Sequence, residues 1–134
     1  MTTFSGSCLC GEVQYHIDGE MLGFYHCHCT RCRKFSGTGH ATNIRIDSKT
    51  IDWKSGESLV KRYKLNAQER FRNDFCGECG SPLPRYFDEV GFVVLPAGTL
   101  DEEIDMKPNA RIFYASRAQW SCSDDLPTYE EYAE

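Results

Sequence analysis

The sequence predicts a small, mostly β domain, and three observations lead there. Short segments alternate apolar and polar residues between turn formers, only two brief stretches have helical character, and seven of the eight cysteines gather in three tight clusters. The clusters are Cys8–Cys10, Cys27–Cys29–Cys32 and Cys76–Cys79. At 134 residues the chain is expected to fold as one domain, residues 1–134, around a single modest core. Hydrophobic residues at 40% and charged residues at 26% suit a globular chain, and no repeat, linker or low-complexity tract interrupts it.

Taken in order, Val13, Tyr15 and Ile17 alternate with Gln14 and His16, the pattern of a half-buried strand. Asp18-Gly19 is expected to turn the chain there. Ile44 with Ile46, Ile51 with Trp53, and residues 92–95 read as further strands, as do residues 59–65, 70–75, 83–87 and 111–115. The helical stretches are a short turn over residues 30–35 and a second over 128–133 following Pro127, both below average helix length. Trp53, Phe71, Phe92 and Trp120 are expected in the core. Phe24, Tyr25, Phe35 and Tyr114 are candidates to wall a pocket.

The cysteine spacings have geometric content. Residues two apart on an extended strand share a face, so Cys8 and Cys10 reach one ion together, and Cys27 and Cys29 another. Cys76-Gly77-Glu78-Cys79-Gly80 is a tight turn whose glycines tolerate positive φ and let backbone N–H groups face the sulfurs. Four thiolates, from Cys8, Cys10, Cys76 and Cys79, make a closed tetrahedral Zn²⁺ site of the structural kind. The triplet supplies three and leaves a position open, as catalytic zinc sites do. Two Zn²⁺ per chain are expected, one structural and one catalytic.

Charge limits the partners. The formal net charge is −5; four thiolates on one Zn²⁺ add −2 and three on another add −1, which brings the chain to −8. Nucleic acid and anionic membranes call for a basic face, so neither is an expected partner. No apolar run is long enough to span a bilayer, and residues 1–6 lack a signal-peptide core. The expected compartment is the cytoplasm, where thiols stay reduced and clustered cysteines serve as metal ligands.

The triplet segment runs His26-Cys27-His28-Cys29-Thr30-Arg31-Cys32-Arg33-Lys34. A second structural zinc completed by His26 or His28 is one reading, but strand alternation points the histidines away from the face that carries Cys27 and Cys29. A redox pair of Cys29 and Cys32 is another, and it lacks the βαβ context that this motif requires. Three thiolates make zinc a weak Lewis acid and favour a soft fourth ligand, so the site suits a small thiol. Arg31, Arg33 and Lys34 lie beside it as candidates to hold that thiol's carboxylates.

At this point the chain resembles the glutathione-dependent formaldehyde-activating (GFA) domain family, which includes centromere protein V. The resemblance rests on Gly6-Ser7-Cys8-Leu9-Cys10-Gly11 with Val13 and Tyr15, on Cys27-His28-Cys29-Thr30-Arg31-Cys32-Arg33-Lys34 followed by Ser36-Gly37, on Phe75-Cys76-Gly77-Glu78-Cys79-Gly80-Ser81-Pro82-Leu83, and on Gly98-Thr99-Leu100. It covers residues 4–127. It implies a β-tent of several small antiparallel sheets, a structural zinc on Cys8, Cys10, Cys76 and Cys79, and a catalytic zinc on Cys27, Cys29 and Cys32. It also implies carbon–sulfur lyase chemistry of the S-(hydroxymethyl)glutathione synthase type, with a thiol such as glutathione as substrate. A non-catalytic zinc scaffold or thiol carrier that binds glutathione or a protein partner is the alternative. Cys122 lies outside the metal pattern and reads as a free thiol. His40 is a candidate general base, or a structural histidine.

Overall fold

The computed structural model describes residues 2–66, 71–121 and 125–133. Nine strands and one short helix are built from them: β1 (Thr2–Ser7), β2 (Gln14–Cys27), α1 (Thr30–Ser36), β3 (Ala41–Asp47), β4 (Asp52–Ser55), β5 (Val60–Lys64), β6 (Arg72–Cys76), β7 (Arg85–Phe87), β8 (Phe92–Pro96) and β9 (Ala110–Ile112). The mostly β prediction holds, as do the strands expected around Ile44, Trp53, residues 59–65 and residues 92–95. The 70–75 strand is displaced to β6, and Arg70 lies outside the described residues. Residues 111–115 form only the end of β9, after which the chain passes through Phe113 into a 3-10 turn. Residues 128–133 are not helical. Cys122 lies outside the described residues. No helix among them is long and apolar enough to cross a membrane.

The organising element is β2, which runs 14 residues straight through the expected Asp18-Gly19 turn. Gly19 serves a close approach there, because a Cβ would collide with the backbone carbonyl of Asp47 on β3. The first half of β2 pairs with β1 and β4, and the second half with β3 and, in parallel, with β9. Two curled antiparallel surfaces are thereby joined along one strand, in the order β1-β2-β3-β8-β7, while β5 and β6 form a separate hairpin.

A bulge divides the two halves. Met21 pairs with Ile46 but Gly23 pairs with Arg45, so Leu22 is extra and half-exposed. An extra residue exchanges the faces of everything that follows it. Before the bulge the odd positions Tyr15 and Ile17 are buried in the core; after it Phe24 takes that role, and Gly23, Tyr25 and Cys27 are on the opposite face. The core cluster comprises Phe4, Tyr15, Ile17, Phe24, Ile44, Ile46, Val93 and Leu95. Tyr15 buries its hydroxyl on Thr99 Oγ1 at 2.7 Å, and Gly6 must be glycine because a Cβ would run into that hydroxyl. Trp53 packs against the core as expected. Trp120 does not and is mostly exposed, while Phe71 and Phe92 are half-buried.

Candidate metal centres

The first centre forms where two turns meet. Cys8 and Cys10 stand in the turn that joins β1 to β2, closed by the Gly11 N–H on the Cys8 carbonyl, rather than on a strand. The turn still brings their sulfurs to 3.5 Å, because it folds Cys10 back toward Cys8. Opposite, Cys76 ends β6 and Cys79 lies in the following turn, where Gly80 adopts φ 80° and donates its N–H to the Cys76 carbonyl. Gly77 has no positive φ; it fits tightly beside the Leu59 carbonyl and Lys61 instead. Cys10 Sγ lies 3.9 Å from Cys76 Sγ, and all four sulfurs fall within 4.8 Å of one another.

Those distances fit an ion. Tetrahedral bonds of about 2.3 Å to sulfur place neighbouring sulfurs about 3.8 Å apart. Backbone donors already face the sulfurs, Val13 N to Cys8 Sγ at 3.3 Å and Glu78 N to Cys76 Sγ at 3.4 Å. The Ser81 hydroxyl and N–H hold the Cys79 thiol down at about 5. At Cys10 the Glu12 N–H acts the same way, but desolvation and the neighbouring thiols outweigh it and push the group up to about 12. Like charges at this spacing resist joint ionisation, and a divalent cation removes the conflict.

The second centre is assembled from three different local conformations. Cys27 is the last residue of β2, Cys29 is the N-cap of α1, and Cys32 lies in the helix's first turn. The Cys32 N–H donates to Cys29 Sγ at 3.3 Å, so this thiol acts as the helix cap as well as a donor. All three sulfurs fall within 4.8 Å of one another. The Cys32 thiol hydrogen bond holds Cys27 down at about 6, and Cys32 itself is pushed up because Cys27 and burial oppose its ionisation. No histidine joins the set among the described residues. His28 is buried on the other side, with its ring 5.0 Å from His40 and 5.2 Å from Tyr114, and His26 stacks on His40 at 4.1 Å. The histidines thus stand outside the sulfur cluster, although Cys27 and Cys29 do not share one strand as the alternation argument supposed.

The triplet opens into a cavity of about 420 Å³. Its floor is the non-core face of the sheet: the bulge in β2 turns Tyr25 and Cys27 toward it, and Asn43, Arg45, Val94 and Arg85 follow across the neighbouring strands. Of the pocket-wall candidates, Tyr25 lines the cavity, Phe24 lies in the core, and Tyr114 packs on His28. Phe35 packs against Phe71, which does line it. Phe113 forms part of the rim with φ 53°, a left-handed backbone that bulky side chains rarely adopt.

Arg31 lines the cavity as the sequence suggested. Arg33 does not; it donates from Nη1 to the Ser116 carbonyl at 3.1 Å. Lys34 is exposed, and neither it nor His40 reaches the cavity. Sequence reasoning missed Arg45 and Arg85. The signal for them was strand alternation, around Ile44 and Ile46 for Arg45 and over residues 83–87 for Arg85, and it becomes informative only once the register is known.

The fold is thus a small β architecture with one four-sulfur and one three-sulfur cluster, each of which could hold a metal ion. The profile of the glutathione-dependent formaldehyde-activating enzyme (GFA) family matches residues 3–116, most of the chain, and the protein belongs to that family. The family is glutathione-dependent and formaldehyde-activating. A crystal structure of a Rhodobacter sphaeroides protein has a similar fold, with a TM-score of 0.61 at 18% identity over 80% of this chain and 98% of that one. A search of curated proteins returned no match.

Proposed function

We propose that the protein is a carbon–sulfur lyase that joins glutathione or a similar small thiol to formaldehyde at the Cys27–Cys29–Cys32 centre, and takes such adducts apart in reverse. One observation carries this reading: the cluster of three donors, unlike the cluster of four, opens into a cavity large enough for a tripeptide's side chain and part of its backbone. Cys27, Cys29 and Cys32 would hold Zn²⁺, which would supply stabilisation of the substrate sulfur as a thiolate. In the addition, a sulfur lone pair forms the S–C bond and the carbonyl π pair moves to oxygen. The proton lost by the thiol reaches that oxygen through water. Phe71, Phe87 and Phe92 add apolar surface to the cavity lining, which would limit the water that reaches the sulfur. Arg31 offers its charge to a substrate carboxylate.

The test is the rate of S-(hydroxymethyl)glutathione formation and breakdown by zinc-loaded protein, followed by exchange NMR against the uncatalysed rate. Acceleration that vanishes in Cys29→Ser supports the lyase. A second reading has its own observation: no histidine, aspartate or glutamate lines the cavity among the described residues, so no side-chain base is at hand. Saturable glutathione binding without acceleration identifies a thiol carrier, and binding of neither kind leaves the non-catalytic scaffold.

A further inference from the structure

We infer that Arg45, backed by the buried Arg85, forms an anion subsite in the Cys27–Cys29–Cys32 cavity and restricts its occupant to thiols that carry a carboxylate. The inference deepens the thiol reading above and rests on it for the position of the sulfur.

The two arginines belong to one cross-strand row. Gly23 of β2 pairs with Arg45 of β3, Arg45 with Val94 of β8, and Val94 with Arg85 of β7, all on the cavity face. At the head of this row Gly23 makes room for the Tyr25 ring, which a Cβ there would strike. The Arg45 guanidinium lies 4.9 Å from the centre of the Tyr25 ring and 5.4 Å from that of Phe92. These two aromatic rings flank it, while none of the described residues gives it a hydrogen bond or an ion pair. A guanidinium held between two rings, with no acceptor on it among the described residues, is suited to receive a carboxylate through two parallel hydrogen bonds.

Arg85 adds a charge that the fold would otherwise avoid. It is 5% exposed, it lies near Phe35 and Phe87, and its Nε and Nη1 have no hydrogen-bond partner among the described residues. Burial lowers its pKa only to about 10, so it stays protonated at neutral pH. A buried cation that no hydrogen bond at two of its nitrogens repays is costly to keep. With Arg31 the cavity is lined by three guanidiniums and, among the described residues, no carboxylate, in a chain whose net charge is −5. A carboxylate on the thiol would supply the counter-charge that none of the described residues gives Arg45.

Calorimetry on the zinc-loaded full chain tests the assignment, with mercaptosuccinate, 2-mercaptoethanol and (methylthio)succinate as probes. Wild type should bind mercaptosuccinate about tenfold or more tighter than 2-mercaptoethanol, the worth of a charged hydrogen bond at a half-buried site. Arg45→Gln should bring that ratio close to one, and Arg45→Lys should restore part of it. Circular dichroism on each variant checks that the fold persists. A wild-type ratio near one, or a ratio that Arg45→Gln leaves unchanged, overturns the subsite while 2-mercaptoethanol binding keeps the thiol reading alive. If (methylthio)succinate binds as tightly as mercaptosuccinate and loses affinity in Arg45→Gln, the subsite stands and the thiol reading falls.

Discussion

Cys10→Ser isolates the contribution of the four-sulfur clasp to stability. Cys10 is exposed and belongs to none of the buried clusters, so its replacement removes a metal donor and almost no packing. An ion held by Cys10 and Cys76 would close a loop across 66 residues. By the chain-entropy relation for a cross-link of that span, closure is worth about 4 kcal/mol. That is a large fraction of a stability of about 5–15 kcal/mol for a domain of this kind. With an unfolding entropy of about 2 cal/mol/K per residue, loss of the ion should lower Tm by about 15 °C. Differential scanning calorimetry under reducing conditions, with and without a strong chelator, measures the effect as a cycle. Zinc-loaded wild type should stand well above zinc-treated Cys10→Ser, whereas the two chelated proteins should agree to within about 0.5 kcal/mol, as surface substitutions do. Equal Tm values in the zinc-treated pair, or the full difference persisting in the chelated pair, would refute the clasp.

Three further outcomes are expected. Cys29→Ser keeps an oxygen that can cap α1, so the melting point should shift by only a few degrees while metal analysis finds one zinc in place of two; a collapse of the fold would make the triplet structural. In metal-free protein Cys79 and Cys27 are held down at about 5 and about 6, so their thiolate ultraviolet absorbance should already be present at pH 7 and disappear as pH falls through that range. Absorbance that rises only near the ordinary thiol value of about 8.5 would count against the hydrogen bonds from Ser81 and Cys32. Phe113→Gly removes a left-handed φ that costs a non-glycine residue about 1 kcal/mol, and the ring is mostly exposed, so thermal melting should show no loss of stability. A marked fall in Tm would mean that the ring packs more than its exposure indicates.

The two cysteine sets were legible in the linear sequence because their spacings are local devices: a C-x-C, a knuckle turn and a helix entry each bring sulfurs together within a few residues. Even there the local form differed, since Cys8 and Cys10 meet across a turn and not along a strand. Most strands were legible from period-two alternation, which reports burial on one face. Asp18-Gly19 misled because turn chemistry and close backbone approach both select glycine, and only the Asp47 carbonyl across the sheet distinguishes them. Arg33 and Lys34 misled because nearness in sequence to Cys32 says nothing of direction around a helix. The arginine-lined cavity belonged wholly to tertiary structure. One extra residue at Leu22 reverses the faces of β2, and that reversal turns Tyr25 and Cys27 toward Arg45 and Arg85. Which side chains share a face after a bulge depends on interstrand register, and register is set by pairing energy between segments far apart in the chain.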